Sequence, residues 1–210
     1  MTAPVAPTRI TTVLFDLGGV VVDWDPARLY RKIFAGDEAK VRWFLETICT
    51  DPWNTAQDAG RPLAHGTDLL VAQHPDWEPE IRAFYDRWIE MIAGPVPGTA
   101  TLIRDLRDAG TRLFALSNWS AETFPRVQDD FPELALFERV FLSGNLGVAK
   151  PDARFYRAVL AELTAPPAEM VFLDDDPANV AGAEAVGVRA IRFTSADQAR
   201  GALRALGLKC

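Results

Sequence analysis

The sequence predicts an α/β fold in which helices flank a parallel β-sheet and a small all-helical segment is inserted early in the chain. After residue 98, short apolar runs alternate with helical patterns, and such runs are typical of strands that are buried on both faces. Residues 26–93 instead place apolar side chains at three- and four-residue spacing, without a convincing strand. The length of 210 residues is enough for one such domain with an insertion.

The first predicted strand runs from Thr11 to Phe15 and ends at Asp16, which is followed by Leu17, Gly18 and Gly19. Open α/β sheets bind their ligands at the carboxyl ends of the strands. A carboxylate at this place is therefore a candidate nucleophile or metal ligand. The two glycines allow backbone amides to turn close to the group that the carboxylate contacts.

Residues 26–93 form the predicted helical segment. Asp25 is expected to cap its first helix, with Pro26 at the first helical position. The segment ends at a run rich in Gly and Pro, residues 94–98. Residues 1–9, rich in Ala, Pro and Thr, are predicted to be a disordered tail, which leaves 10–25 and 94–210 for the sheet domain.

The remaining elements are predicted to alternate along the chain. Further strands are expected at residues 112–116, 140–143, 170–173 and 188–193, and helices at 99–109, 120–128, 152–163, 178–186 and 196–206. Parallel strands joined by right-handed crossovers place all of their carboxyl ends at one edge of the sheet.

The composition excludes several classes of function. The net charge is −7 and no run of Lys or Arg is present, so neither nucleic acid nor an anionic membrane is an expected partner. No apolar run is long enough to cross a membrane. Two cysteines make no disulfide framework, which favours a cytoplasmic location. A small-molecule substrate and a monomer or homodimer are expected.

Polar side chains follow four of the predicted strands or lie in the loops after them: Asp16, Ser117 with Asn118, Lys150, and Asp174 with Asp175. We expect these groups to converge at one sheet edge. Asp16 would attack an electrophile, while Ser117 would donate a hydrogen bond to a transferable anion and Asn118 would share this role or cap a helix. Lys150 would neutralise the anion, and Asp174 and Asp175 would hold a hard cation such as Mg²⁺.

The ordered set of motifs Phe15-Asp16-Leu17-Gly18-Gly19-Val20, Leu116-Ser117-Asn118, Ala149-Lys150-Pro151-Asp152 and Leu173-Asp174-Asp175 resembles the haloacid dehalogenase superfamily. The fragment around Asp16 is most similar to the branch of sugar-phosphate phosphatases and of the phosphatase domain of epoxide hydrolases. The resemblance implies a Rossmann-like core, with residues 26–93 as a helical cap over the site. It also implies an aspartyl-phosphate at Asp16, and Mg²⁺ held by Asp16, Asp174, Asp175 and the backbone carbonyl of Gly18.

One position departs from the family pattern. Phosphatases of this family usually carry a second Asp two residues after the nucleophile, which protonates the leaving group, whereas this chain has Gly18. A weakly basic leaving group or a halide would need no proton; otherwise Asp23, Asp25 or a residue of the cap would supply it. The crowding of Asp174 and Asp175 favours a metal, since neighbouring like charges need compensation.

The substrate pocket is predicted to include Gly18, Gly19 and three tryptophans that flank the site in sequence: Trp24, Trp53 and Trp119. The polar turn of Gln57, Asp58 and Arg61 around Gly60 is a further candidate for substrate contact.

Three hypotheses for the function remain open at this stage. The first is a Mg²⁺-dependent phosphatase that acts on a small phosphorylated metabolite. The second is a 2-haloacid dehalogenase that forms an ester at the same Asp16 on a halogenated substrate. The third is a catalytically silent homologue that binds metal or phosphate.

Overall fold

The computed structural model describes residues 9–210, so the predicted disordered tail lies outside the described residues except for Arg9. The strands are β1 Thr12–Phe15, β2 Val22–Trp24, β3 Ile92–Pro95, β4 Arg112–Ser117, β5 Arg139–Leu142, β6 Met170–Asp174 and β7 Arg189–Arg192. Five of them form one parallel sheet in the order β5-β4-β1-β6-β7. This sheet confirms the predicted α/β class.

Ten α-helices accompany the strands in the described residues. They are α1 Ala27–Ile33, α2 Glu38–Thr47, α3 Asp51–Asp58, α4 Leu63–Gln73, α5 Glu78–Asp86, α6 Thr99–Asp108, α7 Ser143–Leu146, α8 Ala153–Glu162, α9 Pro177–Glu184 and α10 Ala196–Ala205. The first five lie between β2 and β3. None of the helices in residues 9–210 has the length and apolar character that a membrane crossing requires.

The register of the sheet places Asp16 between the ends of two neighbouring strands. Phe15 is the Cα partner of Ala115 in β4 and of Leu173 in β6, and the amide of Asp16 donates to the carbonyl of Leu173 at 2.8 Å. Strand β1 is buried on both faces, as its continuous apolar run predicts. The edge that carries Asp16 therefore also carries the ends of β4 and β6.

The chain enters and leaves the helical segment through a second, two-stranded antiparallel sheet. Val22 of β2 pairs with Pro95 of β3, and Asp23 pairs with Gly94. The sequence indicated neither strand, because runs of three and four residues are too short to show an alternating pattern. Asp25 does cap α1 as expected, since its Oδ1 atom accepts from the amide of Ala27 at 2.8 Å.

The helix predicted over residues 120–128 is wrong. Residues 120–136 instead form turns and three short 3₁₀ segments, Phe124–Arg126, Gln128–Asp130 and Pro132–Leu136. Pro125 and Pro132 have no amide hydrogen for a continuous α-helix, and the side chains of Phe124 and Phe131 are buried instead in the core. Ser143, predicted as the end of a strand, instead begins the single turn of α7, Ser143–Leu146.

The sheet separates two apolar clusters, because successive side chains of a strand point to opposite faces. Val13 and Phe15 of β1 belong to the larger cluster, whereas Leu14 belongs to the smaller one. The larger cluster continues into the helical segment, where Tyr30 and Phe84 are fully buried. The site thus lies at the carboxyl edge of the sheet, beside the helical segment.

Candidate active site

The ammonium group of Lys150 is the centre of the site. Its Nζ atom lies 2.8 Å from Oδ1 of Asp16 and 2.7 Å from Oδ2 of Asp174, and it donates to the carbonyl of Leu116 at 3.0 Å. The side chain of Lys150 is completely buried. Because an ammonium group has three protons, these three acceptors use all of them.

Asn118 positions the backbone of Lys150. Its Nδ2 atom donates to the carbonyl of Lys150 at 2.9 Å, and its Oδ1 atom accepts from the amide of Lys150 at 2.8 Å. The strand end of β4 is therefore attached directly to the loop that carries the lysine. Asn118 acts here as a brace between two of the four motifs.

Asp174 is completely buried and fully engaged in hydrogen bonds. In addition to the contact with Lys150, its Oδ1 atom accepts from the amide of Asp176 at 2.9 Å and from Nδ2 of Asn179 at 3.1 Å. Asp176 caps α9 by accepting from the amide of Ala178 at 2.8 Å, as its place before Pro177 predicts. Helix α9 thus fixes the orientation of the buried carboxylate.

The charges at the site are incompletely balanced. Burial raises the pKa of Asp16 to about 8, because the loss of water outweighs the attraction of Lys150. Burial also opposes protonation of Lys150, but the charges of Asp16 and Asp174 outweigh it and raise the lysine pKa. Asp175, which is exposed, has a raised pKa from desolvation and from the neighbouring charge of Asp174. One ammonium group therefore faces three carboxylates.

The same three carboxylates fit a divalent cation. Asp16, Asp174 and Asp175 each offer one oxygen, and these oxygens lie within 4.8 Å of one another. Oxygen ligands are those that Mg²⁺ prefers. Asp175 is seated directly against Gly19, where a Cβ atom would collide with its carboxylate. The donor chemistry and the uncompensated negative charge both agree with a cation at this place.

A small pocket of about 60 Å³ opens beside these groups. Its lining combines three residues of the motifs, three indoles and two polar side chains of the helical segment: Gly18, Ser117, Asn118, Trp24, Trp88, Trp119, Asn54 and Asp58. The side chain of Ser117 is buried at the end of β4. The indole nitrogen of Trp24 is buried and has no hydrogen-bond partner among the described residues, so a bound acceptor would satisfy it.

Comparison with known proteins identifies the family of this chain. A model of the haloacid dehalogenase-like hydrolase family matches residues 10–187. The chain belongs to the haloacid dehalogenase-like hydrolases. Its match covers most of the chain and all four motifs, so the resemblance drawn from the sequence is confirmed.

Individual members of the family extend over nearly the same length. A sesquiterpene phosphatase from Aspergillus oryzae is 26% identical over 89% of this chain and 91% of its own. A family enzyme from Bacteroides thetaiotaomicron, solved in complex with magnesium and inorganic phosphate, has a TM-score of 0.65 and 22% identity over 89% of this chain and 95% of its own. The structure of the L-2-haloacid dehalogenase of Xanthobacter autotrophicus has a TM-score of 0.64 and 18% identity, and the match covers 93% of this chain and 83% of the dehalogenase.

The pocket of this hydrolase does not include Trp53, which the sequence predicted to line it. That side chain is not part of the pocket; it packs against Phe84 with ring centroids 5.0 Å apart, and its Nε1 atom donates to the carbonyl of Gly66 at 3.0 Å. Trp53 therefore belongs to the interior of the helical segment. Gly19 is not among the pocket-lining residues either, and it instead supports Asp175.

Three residues that line the pocket lie outside the four motifs and the three tryptophans that the sequence indicated. Trp88 and Asn54 carry no sequence signal of a site, and Asp58 is one of several polar residues in a predicted turn. No motif identifies them. Their position depends on how the helical segment folds against the loop after β4.

Proposed function

We propose that this hydrolase is a Mg²⁺-dependent phosphatase that acts on a small phosphorylated metabolite through an aspartyl-phosphate at Asp16. The observation that carries the proposal is the cluster of Asp16, Asp174 and Asp175 around one buried ammonium group. The phosphatase relative and the family enzyme with bound magnesium and phosphate support it. The unpaired thiols of Cys49 and Cys210 agree with a cytoplasmic location.

Asp16 is the proposed nucleophile. One of its carboxylate oxygens would form a bond to phosphorus while the bond from phosphorus to the leaving oxygen breaks, and water would then hydrolyse the aspartyl-phosphate. The amide of Leu17 donates to Oδ1 of Asp16 at 2.7 Å. Together with Lys150, this contact holds Oδ1 and leaves Oδ2 for the attack.

Lys150 and Ser117 have separate roles in this proposal. Since Asp16, Asp174 and Leu116 accept all three protons of Lys150, the lysine orients the nucleophile, and its charge favours the ionised form of Asp16 against the effect of burial. Ser117, buried beside the pocket, would donate a hydrogen bond to the transferred phosphoryl group. Asn118 holds the lysine loop in register with the strand end.

Asp16, Asp174, Asp175 and the carbonyl of Gly18 are the residues that would hold Mg²⁺. When bound, this ion supplies the positive charge that reduces repulsion between the anionic substrate and Asp16. Burial raises the pKa of Asp16 despite the attraction of Lys150, and this agrees with a further cation at the site.

We also propose that residues 26–93 act as a cap over the site, inserted in a core formed by residues 10–25 and 94–210. The carboxylate of Asp58 accepts from the amide of Ser120, and the carbonyl of Asp58 accepts from the hydroxyl of Ser143. These contacts hold the end of α3 over the pocket. A monomer or a homodimer would be compatible with this arrangement.

Turnover with and without Mg²⁺ tests the proposal. The purified protein would be assayed on aryl, sugar and acyl phosphates, in parallel with its Asp16→Asn variant. Phosphate release that requires Mg²⁺, is lost in Asp16→Asn, and is accompanied by a phosphoryl adduct on the acid-quenched wild-type protein is the expected result. Full turnover of the Asp16→Asn variant would overturn it.

The glycine at position 18 favours a second candidate. A 2-haloacid dehalogenase forms an ester at its aspartate and releases a halide, which needs no proton from an acid at that position. Halide release from 2-chloropropionate that is indifferent to a chelator would support this function instead. Binding of Mg²⁺ or phosphate without any turnover would support the third hypothesis, a silent homologue.

A further inference from the structure

We propose that Asp58, at the end of α3 in the helical segment, is the acid that protonates the leaving group, in place of the aspartate that this chain lacks at position 18. The inference rests on the proposed phosphatase function. It assigns a catalytic role to a residue outside the four motifs of the family. The leaving group would then be the alkoxide of an ordinary phosphate ester, and a weakly basic leaving group would no longer be required.

The pocket beside the nucleophile contains one carboxylic acid among the residues that the structure describes there. Asp58 lines it together with Gly18, Ser117 and Asn118. Gly18 is two residues from the nucleophile and Ser117 ends the strand next to it, so a leaving group that departs from Asp16 enters this pocket. Asp58 is therefore in the part of the site where the family acid would act.

The other two candidate acids are engaged elsewhere. Asp23 forms an ion pair with Arg28 at 2.8 Å. Asp25 uses one oxygen to cap α1 and the other to pair with Arg31 at 3.3 Å. Neither residue lines the pocket.

The structure leaves space at position 18 itself. A Cβ atom built on Gly18 would meet no other atom within 4 Å. The volume that an acidic side chain would occupy in other phosphatases of the family is thus open to the pocket that Asp58 lines. An acid supplied from the helical segment can reach this space only when that segment is closed over the sheet.

Asp58 is held firmly in this position. Its Oδ1 atom accepts from the amide of Ser120 at 3.0 Å, and its Oδ2 atom accepts from Nδ2 of Asn54 at 2.8 Å. Burial raises the pKa of Asp58 to about 7, although both hydrogen bonds favour the ionised form. An acid with a pKa near the working pH is well suited to donate a proton and take it back.

Protons balance over the two steps. In the first step, Asp16 forms its bond to phosphorus, the bond to the ester oxygen breaks, and the carboxyl proton of Asp58 passes to that oxygen, so that a neutral alcohol leaves. In the second step, a water oxygen bonds to phosphorus, the bond to Asp16 breaks, and Asp58 takes a proton from that water. Asp16 is returned as a carboxylate and Asp58 as an acid.

The test compares two substrates of similar size, benzyl phosphate and 4-nitrophenyl phosphate, in wild type and Asp58→Asn. Benzyl alcoholate is a strongly basic leaving group that needs protonation, whereas nitrophenolate is weakly basic and does not. We expect Asp58→Asn to lower kcat/KM on benzyl phosphate by about 10²–10⁴-fold and to change it only a few-fold on 4-nitrophenyl phosphate. Ser143→Ala is the matched control, because it removes a hydrogen bond to Asp58 but leaves the carboxyl group.

An equal loss on both substrates in Asp58→Asn would assign Asp58 a structural role and overturn the inference, while Mg²⁺-dependent turnover by the wild type would leave the phosphatase function standing. If the wild type hydrolyses none of the phosphates, the proposed phosphatase function is rejected, and so is the role of Asp58 as its acid. If Asp58→Asn does not fold, the inference is tested on the wild type, through the ratio of its kcat/KM on benzyl phosphate to its kcat/KM on 4-nitrophenyl phosphate. That ratio should fall as the pH rises through about 7, the pKa of Asp58, and a ratio independent of pH would overturn the inference.

This pH test involves few other ionisable groups around Asp58. Its hydrogen-bond partners Asn54 and the amide of Ser120 do not titrate, and Tyr85, which donates to Asn54, has a pKa that burial raises above its usual range. Arg61, the charged residue near this helix end, donates to Gln57 and to the carbonyl of Trp53.

Discussion

Gly19 lies directly beneath Asp175, so close that a Cβ atom at this glycine would collide with the aspartate carboxylate. The backbone of Gly19 also has a φ of 72°, a conformation that side-chain-bearing residues rarely adopt. The turn after the proposed nucleophile and the acidic residue after β6 are therefore a single structural unit. The two adjacent glycines of the first motif differ in this respect, because nothing lies within 4 Å of a Cβ atom on Gly18.

Gly19→Ala is expected to weaken Mg²⁺ activation and to destabilise the fold by about 1–3 kcal/mol, because alanine resists the positive φ and its methyl group displaces Asp175. The comparison is Gly18→Ala, which adds the same methyl group into open space. Urea unfolding and the Mg²⁺ concentration for half-maximal turnover would be measured for both. Equal behaviour of the two variants would show that the contact with Asp175 is unimportant.

Lys150→Met should lower the free energy of unfolding by about 3–5 kcal/mol, because it leaves Asp16 and Asp174 buried without their common cation. Turnover should be lost at the same time, since the nucleophile would lose the charged group that orients it and favours its carboxylate form. The control is Lys32→Met, which removes an exposed lysine paired with Glu90 and should cost about 0–1 kcal/mol. Chemical denaturation measures both, and a change below about 1 kcal/mol for Lys150→Met would contradict the prediction.

Asp175 and Asp176 are adjacent, but only Asp175 is a proposed metal ligand, whereas Asp176 caps a helix. Asp175→Asn should raise the Mg²⁺ concentration for half-maximal turnover by about 10-fold or more, because one proposed ligand loses its charge. Asp176→Asn should leave it unchanged, since Asp176 caps α9 and asparagine is an equally good cap. Titration calorimetry with Mg²⁺ gives an independent measurement. A weaker Mg²⁺ affinity in Asp176→Asn than in Asp175→Asn would reverse the assignment of the ligand.

The convergence of Asp16, Lys150 and Asp174 could be predicted from the sequence, because each follows a recognisable buried strand or lies in the loop after one. Parallel strands bring such residues to one edge irrespective of their distance along the chain. The predicted convergence does not depend on exact strand bounds. Ser117 and Asn118 follow for the same reason, although the sequence did not indicate that Asn118 would hold the backbone of Lys150.

The composition of the pocket could not be predicted in the same way. Trp53 and Trp24 are both aromatic residues near the site in sequence, but Trp53 packs inside the helical segment whereas Trp24 lines the pocket. This choice depends on how five short helices pack together, which periodicity does not determine. Asp58 shows the same limit, because its partner Ser120 is 62 residues further along the chain.

Gly18→Asp is expected to rescue the Asp58→Asn variant, because it supplies an acid at another residue that lines the pocket and its side chain enters open space. In the double variant, kcat/KM on benzyl phosphate should recover by about 10-fold or more, as restored general acid catalysis requires. Gly18→Asn in the same background is the matched control, since it has the same shape but no acidic proton. Equal activity of the two double variants would show that a proton donor is not what Asp58→Asn removes.

The protonation of Asp58 should also be visible in the stability of the protein. The carboxyl has a pKa of 3.8 without the fold and about 7 within it, so between these values the folded state holds a proton that the unfolded state has lost. The free energy of unfolding must then fall as the pH rises through this window and level off above about 7. Asp16 titrates in the same direction, with a pKa raised to about 8, so the quantity to measure is the difference between wild type and Asp58→Asn. Urea unfolding would be measured at several pH values from 5 to 8. Over this range the free energy of unfolding of Asp58→Asn should increase relative to that of the wild type by on the order of 1–3 kcal/mol. A difference that stays constant would mean that Asp58 is ionised throughout.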